Sequence, residues 1–206
     1  MSDLGKVIET AEELVEAVTF LPEAYISAEY ARAERDKLWR KVWQQAGRVE
    51  DIPEVGHYLT YEILDDNILI VRTAADTIKA YHNVCPHRGR RLIDTPAGAR
   101  NARGRKSKFA CAYHGWQFSL DGENIRIPCK DDWNGALDTC SGLSEVTVDT
   151  WGGWIWINLD PACEPLLDYL GPVATMLAPF ELQNMRVRWR KWGIFDCNWE
   201  VALEAF

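Results

Sequence analysis

Cys85 and His87 stand in the stretch CPHRG, and Cys111 and His114 in the stretch CAYHGW. Each stretch supplies one thiol and one imidazole, and each reaches a glycine, Gly89 or Gly115, soon after its histidine. Two thiolates with two imidazoles suit two chemistries. One is a [2Fe–2S] cluster of mixed ligation, with both thiolates on one iron and both imidazoles on the other. Neutral imidazoles in place of two thiolates make that cluster less negative, and so easier to reduce, than an all-cysteine cluster. The other is tetrahedral zinc. Zinc sites usually pair cysteines as C-x2–4-C and histidines as H-x3–5-H, whereas each stretch here mixes the two types at tight, unequal spacing. The pattern therefore points to the cluster, and a zinc-stabilised interaction module stays as the alternative. The glycines read as loop ends that approach another group closely.

The elements that must hold these loops follow from periodicity. Residues 1–45 have a helical pattern. Thr10 and Glu13 read as a capping box, and Ser27 as the cap of a second helix through Trp43, with Tyr30, Leu38 and Trp39 on its apolar side. Residues 46–164 switch to short strands: HYLTYEIL, NILIVRT and TIKAYHNV, then KFACAY, WQFSL, VTVDTW and WIWINL. Turn signals fall at Asp65-Asp66, Ala74-Ala75-Asp76 and Asp121-Gly122. Both ligand stretches lie between strands. Residues 165–206 run through an apolar linker into the strand-like VRWRKW and then NWEVALEAF.

The 206 residues are 47% hydrophobic, enough for one full domain and part of another, and the net charge of −8 argues against a nucleic-acid partner. The first residues are acidic and lack the basic, apolar character of a signal sequence. No apolar run of about 18 residues exists to span a membrane. Beyond Cys85 and Cys111, the cysteines Cys129, Cys140, Cys163 and Cys197 follow no motif and read as free thiols of a cytoplasmic protein. The ten tryptophans read mostly as core and interface.

YHNVCPHRGRRL (Tyr81 to Leu92) and CAYHGWQFSLDG (Cys111 to Gly122) resemble the cluster loops of Rieske non-haem iron oxygenases, most closely the large (alpha) subunit of aromatic-ring-hydroxylating dioxygenases. LWRKVWQQAGR (Leu38 to Arg48) is similar to the family's lead-in to that domain, and NWEVALEAF (Asn198 to Phe206) to the start of its catalytic domain. The resemblance implies a mainly β fold: a Rieske [2Fe–2S] β-sandwich domain with N-terminal helices and the truncated start of an α+β catalytic domain. It implies Cys85, His87, Cys111 and His114 as cofactor and metal ligands, and no catalytic residue within this chain. It implies a ferredoxin or flavin reductase as electron donor, and a homo-trimer or alpha-beta hetero-oligomer as the full-length assembly. It also implies a mononuclear Fe(II) that activates O2 and lies in a further domain. Respiratory Rieske proteins carry an additional cysteine in each loop. Arg90 and Tyr113 stand in those places, which favours the low-potential oxygenase or ferredoxin branch.

Of the four histidines, only His57 and His82 are left for a 2-His-1-carboxylate iron site, and none follows His114. The chain reads as the N-terminal portion of a longer oxygenase subunit, with a self-contained Rieske electron carrier as the alternative. Many relatives have Asn where Ala205 stands. Gly98 to Lys108, GARNARGRKSK, reads as a solvated insertion between the loops, with docking of an acidic ferredoxin as the functional alternative. Arg88 either donates hydrogen bonds near the cluster or closes its loop. Trp116 reads as core packing, with shielding of the cluster as the alternative, and His82 as a satisfied structural histidine.

Overall fold

The computed structural model describes residues 21–135 and 142–204. The Thr10–Glu13 capping box, the acidic N-terminus, Cys140, Ala205 and Phe206 lie outside them. In chain order the first elements are α1 (Pro22–Ile26), α2 (Ala28–Glu34), β1 (Gln44–Arg48), β2 (His57–Ile63), β3 (Asp66–Ala74) and β4 (Thr77–His82). Next come β5 (Arg103–Arg105), β6 (Phe109–Ala110), β7 (Gln117–Phe118), β8 (Asn124–Arg126), β9 (Glu145–Trp151) and β10 (Trp154–Asn158). Short helices α3 (Leu166–Leu170), α4 (Pro172–Leu177) and α5 (Trp199–Leu203) follow. Residues 37–190 form one compact unit, and the described parts of 1–36 and 191–206 form another.

In the second of these units Ser27 does cap α2: its Oγ accepts from the N–H groups of Glu29 and Tyr30. Asn198 caps α5 in the same way, accepting from Glu200 N–H at 2.8 Å. The helix expected to run through Trp43 stops earlier. Its regular part ends at Glu34, wider turns reach Trp39, and by Gln44 the backbone is strand. No described helix is long and apolar enough to cross a membrane.

The larger unit is built on a seven-stranded antiparallel sheet in the order β1-β10-β9-β4-β3-β2-β5. A three-stranded sheet, β6-β7-β8, stands beside it. The alternation of side chains along β2 to β4 sorts them into two cores. Leu59, Ile68, Ile70 and Ala80 face Val146, Ile155 and Ile157 in one. Tyr58, Leu69, Val71 and Tyr81 face Phe109, Phe118, Cys85 and Cys111 in the other. Hence β3 reads as an unbroken apolar run, since a strand buried on both faces has no polar side. A third cluster of Trp43, Trp156, Leu166 and Leu170 seats α3. The buried Arg48 holds the segment after α4 by donating to the carbonyls of Gly152, Leu182 and Met185, with its guanidinium over the Trp154 ring at 5.1 Å.

Three expectations change. β1 has the sequence QQAGR, which carries no strand signal. It forms because Tyr61 Oη–H donates to the Gln44 side chain, whose amide in turn donates to Trp39 carbonyl, and because β10 supplies a ladder. The basic stretch after Gly98 is only partly a solvated insertion. Arg103–Arg105 pair with His57–Leu59 as the edge strand β5, and Arg103 and Arg105 meet Asp51 and Glu54 at 2.7 and 2.8 Å. VRWRKW forms no strand in either sheet among the described residues; its Val187 N–H donates instead to the Glu50 carboxylate at 3.1 Å.

The β2–β3 hairpin turns through Leu64 and Asp65, with Ile63 opposite Asp66, so the turn lies one residue before the Asp65-Asp66 signal. Leu64 has φ +51° and an exposed side chain, a conformation that costs a non-glycine residue about 1–2 kcal/mol. Leu64→Gly should therefore raise stability by about 0.5–1 kcal/mol after the added unfolded-state entropy is subtracted, read as a higher denaturant midpoint. A lower midpoint would show that Leu64 packs where this geometry leaves it free.

Candidate metal centre

The two ligand stretches close with the same backbone frame. In the first, between β4 and β5, Cys85 N–H donates to Arg90 carbonyl at 2.8 Å, and Gly89 N–H returns to Cys85 carbonyl at 3.0 Å. In the second, between β6 and β7, Cys111 N–H donates to Trp116 carbonyl at 2.8 Å, and Gly115 N–H returns to Cys111 carbonyl at 3.0 Å. The histidine sits one residue later in the second frame, but cysteine, glycine and closing carbonyl keep the same spacing. Gly89 and Gly115 have φ +69° and +72°, where glycine carries no steric cost. Close approach is not the reason at Gly89, since no protein atom lies within 4 Å of where a Cβ would stand. The frame needs the left-handed turn.

The structure brings the four sequence-picked residues together and sorts them by type. Cys85 and Cys111 are 1% and 4% exposed, and their thiols face each other within hydrogen-bonding reach. Burial pushes the Cys85 thiol pKa above its ordinary value, and the bond from Cys111 adds to this. The backbone N–H groups of His87 and Arg88, aimed at the same sulfur, pull it back. His87 is half-buried and His114 exposed, with ring centroids 4.7 Å apart at 64°. Burial lowers the His87 pKa, and His114 and Arg88 lower it further, a shift in the direction of the neutral imidazole that binds metals. Each imidazole has an aromatic neighbour. Trp116 stacks on His87, the ring planes 1° from parallel and the centroids 4.9 Å apart, and Tyr113 stacks on His114 with centroids 3.7 Å apart at 30°.

The remaining candidates separate. His57 Nδ1 accepts from Glu54 N–H at 3.1 Å. His82 sits half-buried in β4, its N–H bonded to Ser144 carbonyl. Neither joins the centre. Arg88 contributes its backbone N–H, while its side chain stands in solvent. Arg90 grips Asp94 through two bonds of 2.6 Å, and its carbonyl closes the first loop. The residue that sequence reasoning missed is Asn83. It is 2% exposed and anchors the loop that leaves β4. Its amide donates to Asn67 Oδ1 and Ile93 carbonyl, both at 2.7 Å, and its Oδ1 accepts from Ile93 N–H at 3.0 Å. The chain continues through Asn67 to Glu62 and on to Arg91. The only sequence signal was an asparagine beside a ligand stretch.

The donor set fits a two-iron cluster better than one ion. Two thiols form a buried end and two imidazoles a more exposed one. Among the described residues, no three His, Cys, Asp or Glu side chains converge as they would on a single metal. Buried thiols become thiolates when a metal replaces their protons, and the N–H groups aimed at Cys85 suit an anionic sulfur.

Comparison with known proteins agrees. Residues 42–147 match the family model for the Rieske [2Fe-2S] domain. The glycine betaine monooxygenase oxygenase subunit of Chromohalobacter salexigens is 33% identical over 83% of this chain and 37% of its own length. The large oxygenase component of the naphthalene 1,2-dioxygenase system of Pseudomonas putida is 39% identical over 62% of this chain and 28% of its own. Among solved structures, the quaternary ammonium Rieske monooxygenase CntA superposes with a TM-score of 0.81 at 25% identity, covering 90% of this chain and 53% of that one. The chain thus spans only 37% and 28% of the lengths of these two curated relatives. With the family model covering just over half of its residues, and with paired thiols and paired imidazoles on matching loops, the chain belongs to the Rieske [2Fe–2S] domain family, and its cofactor is the [2Fe–2S] cluster.

Proposed function

We propose that Cys85 and Cys111 hold one iron of the cluster as thiolates, and that His87 and His114 hold the other through one ring nitrogen each. The observation that carries this is the sorting of the four side chains into a buried thiol end and an exposed imidazole end. When bound, the cluster supplies a one-electron couple. The residues around the thiols, Phe109, Phe118 and Trp116 among them, keep water from the sulfur end. Pro86, Arg88 and Tyr113 are exposed around the imidazole end and give a redox partner a surface to meet.

In this reading the chain is the electron-transfer portion of a Rieske oxygenase alpha subunit. It stands between a ferredoxin or flavin reductase and a mononuclear iron that activates O2, in a homo-trimer or alpha-beta hetero-oligomer in the cytoplasm. Residues 46–164 are its Rieske domain, 1–45 precede it, and 165–206 are linker and the opening of a catalytic domain. The similarity to oxygenase components over most of the chain supports this over a bare carrier. The substrate reading divides between aromatic rings and quaternary ammonium compounds. The wider coverage by relatives that act on the latter favours the second.

The purified chain should contain about two irons and two acid-labile sulfides and give a Rieske-type electron paramagnetic signal on reduction, with a potential nearer about −150 mV than +300 mV. Stoichiometric zinc without sulfide would overturn the reading.

A further inference from the structure

Trp116 occupies two loops at once. Its backbone carbonyl receives the Cys111 N–H and so closes the second ligand loop. Its indole is buried in the core with Tyr81, Phe109 and Phe118 and lies flat against His87, the histidine of the first loop. No comparable cross-loop role falls to Tyr113, which is 57% exposed and stacks on His114, its own neighbour in sequence.

We propose that Trp116 is a positioning residue that sets the register between the two ligand loops and fixes the plane of the His87 imidazole. The proposal rests on the ligand roles given above. A metal-bound imidazole keeps one soft freedom, rotation about its metal–nitrogen axis, and contacts beyond the ligand set restrict it. The indole can do this because its own orientation is not free: the residue's backbone is held by the loop-closing hydrogen bond and its ring by the surrounding core. The two imidazoles are then unequal by construction. His87 is held against a buried plate from the other loop, and His114 against an exposed ring of its own.

The test uses the cluster-loaded chain with Trp116→Leu, Trp116→Phe and Tyr113→Leu. The readouts are the g-values and histidine-nitrogen hyperfine couplings of the reduced protein, its midpoint potential, and the rate at which a ferrous chelator strips the cluster. If the unsubstituted chain lacks two-histidine couplings, the ligand reading itself fails. If it has them, Trp116→Leu should change the couplings on one histidine, shift the g-values and potential, and lose iron about ten-fold faster. Trp116→Phe should change the same quantities in the same direction by less, and Tyr113→Leu should change the stripping rate by less than either. Wild-type couplings, potential and stripping rate in Trp116→Leu would overturn the proposal. So would Tyr113→Leu matching Trp116→Leu. If Trp116→Leu does not fold, Trp116→Phe decides: shifted couplings support the proposal and unshifted ones overturn it.

Discussion

Replacing His87 or His114 with alanine is expected to abolish the Rieske-type electron paramagnetic signal and to bring iron below about two per chain. Each histidine supplies half the protein ligation of one iron in the proposed assignment, and no other imidazole stands ready to replace it. His57 is engaged with Glu54, and His82 is held in its strand. The matched substitutions His57→Ala and His82→Ala should leave the signal shape intact, with a stability loss of about 1 kcal/mol where a hydrogen bond is removed. Metal analysis beside the spectra makes the comparison sharp. An unchanged signal in His114→Ala, or loss of the cluster in His82→Ala, would mean that the ligands are wrongly assigned.

The second large effect is expected at a residue that touches no metal. Asn83→Ala removes three hydrogen bonds at one buried point and leaves Ile93 N–H and Ile93 carbonyl without these partners. Buried polar groups stripped of partners cost about 1–3 kcal/mol each, so a loss of about 3 kcal/mol is expected. In a chain of this size that lowers the melting temperature by about 6–12 °C. The damage should not stop at stability, because residues 83–93 are the first ligand loop and its base. Iron retention should fall in parallel with Tm, followed by thermal melts and metal analysis on the same samples. A variant that melts like the parent would show that Asn83 is solvated rather than structural.

The two Cys–His stretches stood out in the sequence because coordination would demand particular atoms at particular spacings, and few other pressures place a cysteine and a histidine so close, twice. The strands β2, β3, β4, β9 and β10 were legible because β-branched and aromatic runs ended in clear turn signals. What stayed hidden depends on partners distant in sequence. Gln44–Arg48 has no strand character of its own and becomes a strand through β10 and the Tyr61 hydroxyl. Arg103–Arg105 reads as solvated charge, yet Asp51 and Glu54, some fifty residues earlier, neutralise two of its arginines at a sheet edge. Asn83 is one polar residue among many until its three bonds are drawn. Trp116 could be read as core packing or as shielding. It is in the core, and its stack on His87 lay beyond any pattern because the two residues belong to different loops.

The strand β3, covered on both faces and paired on both edges, also separates two lifetimes. The amides of its buried centre, Ile68 to Val71, have no route to solvent short of opening both cores, so their hydrogen exchange should proceed only through global unfolding. The ligand loops are each closed by two backbone hydrogen bonds at the protein's edge, and such segments open locally at far lower cost. Release of the cofactor is therefore expected to begin with the opening of these two short loops, ahead of the sheet beneath them, so a substitution that loosens a loop base shortens the life of the centre first.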